Sequence, residues 1–158
     1  MLTNTEIKIL VDEYPFLWPT HVNGKKVENF DYSYCELSKL PEGWIRSFIP
    51  DFLKELKEIL IKNNCLDKYF VVTANVINNH FNWVGNVWLS EIQDLIKKYS
   101  KKTKCYCYYC GSPNVKYRST WGPFECEFCA LEDFKKSSKV VDYPINFDEE
   151  FELVSNFS

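Results

Sequence analysis

No run of apolar residues in this chain of 158 approaches the ~18 needed to cross a bilayer, which argues against a membrane helix. The opening stretch, MLTNTEIKILVDEYP, sets charges inside its apolar pattern and lacks the shape of a secretory signal. A cytoplasmic location is therefore expected. Histidine is scarce, with His21 and His80 the whole supply. Neither stands in an H-x-H, H-E-x-x-H or Cys-His nucleophile setting. None lies between Cys110 and Cys126, which excludes a finger nuclease of the histidine–metal type. His80, among Asn78, Asn79 and Asn82, reads as a solvated turn residue. The adjacent carboxylates Asp12-Glu13 and Glu149-Glu150 read as solvated faces, so no hydrolytic constellation emerges. A protein without enzymatic activity is expected. No internal repeat is present, and charged residues at 26% are not the composition of a disordered chain.

Seven cysteines form an odd set, which argues for a reducing compartment over a disulfide framework. Four of them carry the main signal. Cys107-Tyr108-Tyr109-Cys110 is followed, fifteen residues on, by Cys126-Glu127-Phe128-Cys129. Two C-x2-C pairs at that separation are the pattern of a four-cysteine zinc site. Two thiolates three positions apart on a tight knuckle grip one ion, and a short hairpin returns the chain with the second pair. Four thiolates close the tetrahedron and leave no open position, so one Zn2+ held by Cys107, Cys110, Cys126 and Cys129 is structural. Gly111 stands where such a knuckle needs positive φ, and Ser112-Pro113-Asn114 is turn chemistry. Val115 to Thr120 suits a strand, Trp121-Gly122-Pro123 a turn, and Ala130 to Lys136 a short helix. Knuckle, hairpin and helix in that order predict a treble-clef-like (zinc-ribbon-like) finger. Cys105 stands open between three roles: a substitute ligand, a protector of the site, or a free thiol on a neighbouring strand.

A hydrophobic fraction of 46% with 17% aromatics is ample for a core, and the length suits one body plus a small module. Thr3 to Glu6 predicts a capping box, followed by Ile7, Leu10, Val11 and Tyr14 on one helical face and by Pro15 as a stop. Residues 15–43 are irregular but aromatic, which predicts a segment wrapped on the body, with a hairpin across Asn23-Gly24 weakly indicated. Trp44, Phe48, Phe52, Leu56 and Leu60 predict a long helix over 44–63, widened by Leu53, Ile59 and Ile61. Pro50 either opens that helix near Ile49 or kinks it. Tyr69 to Ile77 is β-branched and aromatic, with Phe70, Val72, Ala74 and Val76 on one face and Val71, Thr73, Asn75 and Ile77 on the other. Asn78-Asn79-His80 suits a turn and Phe81 to Leu89 a returning strand, with Gly85 marking a bulge or a close packing point. Ser90 to Gln93 predicts a second capping box, and Ile92, Leu95, Ile96 and Tyr99 a helical face.

The net charge of −3 is unevenly spread. Lys97 to Lys139 holds ten bases against four acids, net +6, which leaves −9 on the remainder. One reading is a polyanion partner. The plainer one is that these lysines offset a tetrathiolate centre and a helix dipole.

Tyr14-Pro15, Gly43-Trp44, the 69–88 hairpin, Cys107 to Gly111, Arg118, Trp121-Gly122 and Cys126 occur in an order that resembles a group of small uncharacterised proteins of bacteria and phages. In that group a Gly-Trp opens a long helix, followed by a hairpin, a helix and a Cys-x2-Cys-Gly finger. The group usually ends its finger with His where this chain has Cys129, and its charged, Gly-containing hairpin strand is altered here to Asn82-Trp83-Val84-Gly85. The resemblance implies a bacterial or phage setting and supplies no activity.

The fold expected is α+β, with helices packed on a β-hairpin or small antiparallel sheet and a C-terminal finger. The divisions are a body over 1–103, a finger over 104–139 and an acidic tail over 140–158, either a mobile end or packed across the body. The function expected first is binding of a protein partner, of the inhibitor, immunity or adaptor type. The alternative is nucleic-acid binding by a basic, aromatic-rich finger through Lys104, Tyr108, Lys116, Arg118, Trp121, Lys135 and Lys136.

Overall fold

The computed structural model describes residues 1–119, 123–132 and 151–153, with the backbone course alone for 116–119 and 151–153. Helix α1, Asn4–Glu13, opens on the expected box: Thr3 Oγ1 accepts from the Glu6 N–H, and the Thr3 N–H donates to the Glu6 carboxylate at 2.7 Å. Its inner face is Ile7 and Val11, and Lys57 Nζ closes its far end on the Glu13 carbonyl at 2.6 Å. The segment after Pro15 wraps the body as its aromatics predict. Phe16 is buried edge-on to Tyr69 and Trp83, and Trp18, Phe30 and Tyr32 form a ring cluster beside it. Across Asn23-Gly24 the structure holds a single bridge between Thr20 and Lys26, with Gly24 at φ +84°.

The long helix divides. Helix α2 is Glu42–Ser47 and α3 is Ile49–Lys62, joined at Phe48. Proline has no N–H to give, so Pro50 falls in the first turn of α3, where that loss costs nothing. Of the two options for Pro50 the structure realises the first, a new helix that starts at Ile49. Phe52, Leu53, Leu56 and Leu60 are fully buried, but Ile61 lies outside the apolar face and is exposed. Helix α4, Ser90–Lys102, buries Ile92, Leu95 and Tyr99. Its cap differs from expectation. Leu89 occupies that position without a side-chain bond and Ser90 is already helical, so the second capping box does not form.

Strands β1, Val71–Ile77, and β2, His80–Gly85, pair antiparallel across Asn78-Asn79, both at positive φ. A bulge between Val71 and Thr73 shifts the alternation by one residue. Val71 is therefore buried and Val72 exposed, the reverse of the simple period-two expectation. The returning strand stops at Gly85, short of Leu89. Gly85 is a close packing point: a Cβ there would run into the Tyr69 ring, whose hydroxyl accepts from Trp83 Nε1 at 2.9 Å. Phe52 sits at the centre of the core, its ring 4.9 Å from Phe81, 5.0 Å from Trp83 and 5.4 Å from Tyr99. The molecule is α+β, with helices packed against a two-stranded hairpin and a C-terminal four-cysteine cluster.

Candidate metal centre and neighbouring surfaces

The cluster is assembled by three short pieces of backbone. After α4, Thr103 and the N–H of Cys105 close the turn on the Ser100 and Lys102 carbonyls. Residues Cys107 to Gly111 then form a knuckle, with the Gly111 N–H donating to Cys107 O at 2.9 Å and Gly111 at φ +79°. Strands β3, Val115–Ser119, and β4, Phe124–Cys126, form an antiparallel pair that returns Cys126 opposite Val115. Helix α5, residues 127–132, opens at once and carries Cys129 in its first turn. Knuckle, hairpin and helix thus follow in the order expected. A third strand, β5, Phe151–Leu153, pairs with β3. The described part of the tail therefore lies on the finger sheet.

The Sγ atoms of Cys107, Cys110, Cys126 and Cys129 all lie within 4.8 Å of one another, and Cys110 and Cys126 are 3.7 Å apart. A regular tetrahedron with metal–sulfur bonds of ~2.3 Å has edges of about 3.8 Å. The four cysteines are therefore arranged to hold one metal ion. Cys105 stands outside the group. Burial pushes the Cys107 thiol up, but the backbone N–H groups of Cys110, Cys126 and Tyr109 outweigh that and bring it below its ordinary value. Burial, followed by its sulfur neighbours, raises Cys129. The site thus favours the first thiolate and resists the last, and a divalent cation at its centre removes that resistance.

The finger is not a separate bead. The Gly43 N–H donates to Tyr108 O at 3.1 Å, and a Cβ on Gly43 would meet Cys107 O, Tyr108 O and the Gly111 amide. Trp44 lies edge-on to Tyr108 at 5.5 Å, Phe48 packs on Tyr106 at 5.8 Å, and His80 meets Phe124 at 6.2 Å. The body's core thus continues into the first knuckle. No spacing rule flagged this role of Gly43, because the contact is tertiary. The adjacency of Gly43 and Trp44 was the only local hint.

Of the residues expected to form a nucleic-acid face, Lys104 is exposed, whereas Tyr108 is half-buried against Trp44. Lys116 and Arg118 lie in β3, described by its backbone, and Trp121, Lys135 and Lys136 fall outside the described residues.

A second surface has no counterpart in the motif reading. The side of the hairpin away from Ala74 and Trp83 carries the pairs Thr73–Val84, Asn75–Asn82 and Ile77–His80, with His80 against Phe124. Val72, Ile77, Val84 and Trp88 are 47%, 50%, 43% and 73% exposed. Asn82 Nδ2 donates to Asn75 Oδ1 at 2.9 Å, which links the two side chains across the strands. The 22 residues from Tyr69 to Ser90 hold no Asp, Glu, Lys or Arg, in a chain that is 26% charged. That gap was the signal in the sequence for this surface.

No family model, curated protein or solved structure matches the chain. Among the described residues no helix is long and apolar enough to cross a membrane.

Proposed function

We propose that this is a non-enzymatic zinc protein of the cytoplasm that works by occupying a protein partner, as an inhibitor, immunity protein or adaptor in a bacterial or phage setting. One observation carries the reading: four large apolar side chains, Val72, Ile77 and Val84 of the hairpin and Trp88 just beyond it, stand exposed in a stretch of sequence without a single Asp, Glu, Lys or Arg. Single apolar residues on a surface mean little, but several within one uncharged stretch, a Trp among them, have the composition of an interface core. Zinc is the ion assigned to the centre, because four thiolates in a closed tetrahedron suit it. Its role is to hold the finger against the body.

The test has two arms. Metal analysis of the purified protein is expected to give one zinc per chain, lost in Cys110→Ser. Purification from the natural host with nuclease treatment is expected to retain a protein partner with the wild type and lose it with a Val84→Ser/Trp88→Ser variant. A partner retained equally by that variant, or removed by nuclease, refutes the hairpin as the binding face.

A further inference from the structure

The end of α4 carries a concentration of positive charge that the hairpin reading does not use. Five lysines fall in the eight residues from Lys97 to Lys104. Two are engaged. Lys98 Nζ binds the Glu55 carboxylate at 2.9 and 3.2 Å, and Lys102 Nζ lies 4.7 Å over the Tyr99 ring. The other three, Lys97, Lys101 and Lys104, are exposed and make no ion pair among the described residues. Their spacing of i, i+4 and i+7 aligns them on one stripe, about 10 Å long at 1.5 Å per residue. The Lys104 N–H still reaches the Lys101 carbonyl, so the turn continues to the stripe's end.

Local compensation does not account for the stripe. The helix C-terminus offers about half a negative charge, felt only in its last turn, and Lys97 lies before that turn. Three lysines therefore stand exposed along one helical stripe.

We infer that this stripe binds the phosphodiester backbone of single-stranded nucleic acid. Its repeated charge and the exposed rings of the finger favour that partner. Ile92, Leu95 and Tyr99, the apolar side of α4, are buried in the core, so a lipid surface would gain charge contacts there but no apolar insertion. A stripe of evenly spaced like charges matches a chain that repeats its charge at every unit. Beyond the lysines in the sequence, each Cys-x2-Cys pair presents an exposed ring just before its second cysteine: Tyr109 at 44% and Phe128 at 72%. Exposed flat rings and a cationic track are together what single strands use, the rings for stacking and the charges for phosphate. The inference rests on other residues than the protein-binding reading, so either stands or falls alone.

The experiment is fluorescence anisotropy with a labelled oligothymidylate against the whole zinc-loaded protein. The wild type is compared with Lys97→Gln/Lys101→Gln/Lys104→Gln and with a control, Lys26→Gln/Lys68→Gln, which removes exposed lysines elsewhere. With three phosphate contacts the wild type is expected to show a slope of log K against log salt of about −2. The triple variant is expected to bind about tenfold more weakly at low salt and to lose most of that slope. Zinc content and melting temperature are expected to stay at wild-type values in all three proteins. Binding that the control weakens as much as the triple variant reports net charge alone and overturns the inference. So does absence of binding, or binding to phosphatidylserine vesicles without binding to the oligonucleotide.

Discussion

Gly43 sets the tightest constraint at the residue scale. Its amide donates to Tyr108 O, and the Cα faces three backbone groups of the first knuckle, two of them 2.6 Å from where a Cβ would stand. Backbone cannot rotate aside as a side chain can. Gly43→Ala is therefore expected to force the knuckle off the body, at a cost of about 1–3 kcal/mol or more. Denaturant unfolding checks the loss, and competition with a chromogenic chelator is expected to show weakened zinc retention. A variant with wild-type stability would mean that the knuckle does not rest on Gly43. Glycine at this position is required by contact, since its φ lies outside the left-handed range, whereas Gly111 at φ +79° is required by conformation. The second requirement follows from the motif and was legible beforehand. The first depends on a partner more than sixty positions away and was not.

At the scale of elements, the hairpin shows how local pattern and tertiary context divide the work. Strand composition and the Asn78-Asn79 turn were legible, because β-branched residues and positive-φ asparagines act locally. The exchange of Val71 and Val72 was not, since a bulge is chosen by what the flanking residues must pack against. Here the flanking residue is Tyr69, buried over Gly85 with its hydroxyl bound to Trp83 Nε1. Burial raises the Tyr69 phenol, donation from Trp83 partly opposes it, and the result is a value of about 12 against an ordinary 10.0. The unfolded chain then releases the phenolic proton at lower pH than the folded one. Stability from this site is fully present below pH ~10 and is lost as pH rises toward ~12, by about 2–3 kcal/mol. Tyr69→Phe is expected to cost about 1–3 kcal/mol at neutral pH, because Trp83 Nε1 loses its acceptor. It is also expected to flatten the decline between pH 10 and 12. Urea midpoints measured across that range check both, and an unchanged alkaline slope in the variant would exclude Tyr69 as its source. The split of the 44–63 helix at Phe48 has the same origin as the bulge: Pro50 announced a break, and the core decided its form.

For the whole molecule, the division into a body over 1–103 and a finger over 104–139 describes the motifs better than the packing. The ring contacts Trp44–Tyr108, Phe48–Tyr106 and His80–Phe124 carry the core across that boundary. In an independent finger, metal removal would unfold about thirty residues and leave the body's melting untouched. Here the knuckle covers Trp44, which is 1% exposed, and part of Phe48, the joint of α2 and α3. Losing the knuckle exposes both rings. At ~25 cal/mol per Å2, and with 150–250 Å2 for a large aromatic, partial exposure of two costs several kcal/mol, a large share of a typical 5–15 kcal/mol domain stability. Chelation is therefore expected to lower the melting temperature of the body itself, read by the near-ultraviolet signal of the buried Trp and Tyr. Acidification is expected to act in the same direction, since the thiolates must lose protons to hold the metal and regain them as pH falls. Calorimetry of the zinc-loaded protein is expected to give one transition, and of the chelated protein one transition at lower temperature. A chelated protein whose aromatic signal melts where the loaded one does would separate finger from body, and the metal would then stabilise only its own knuckles.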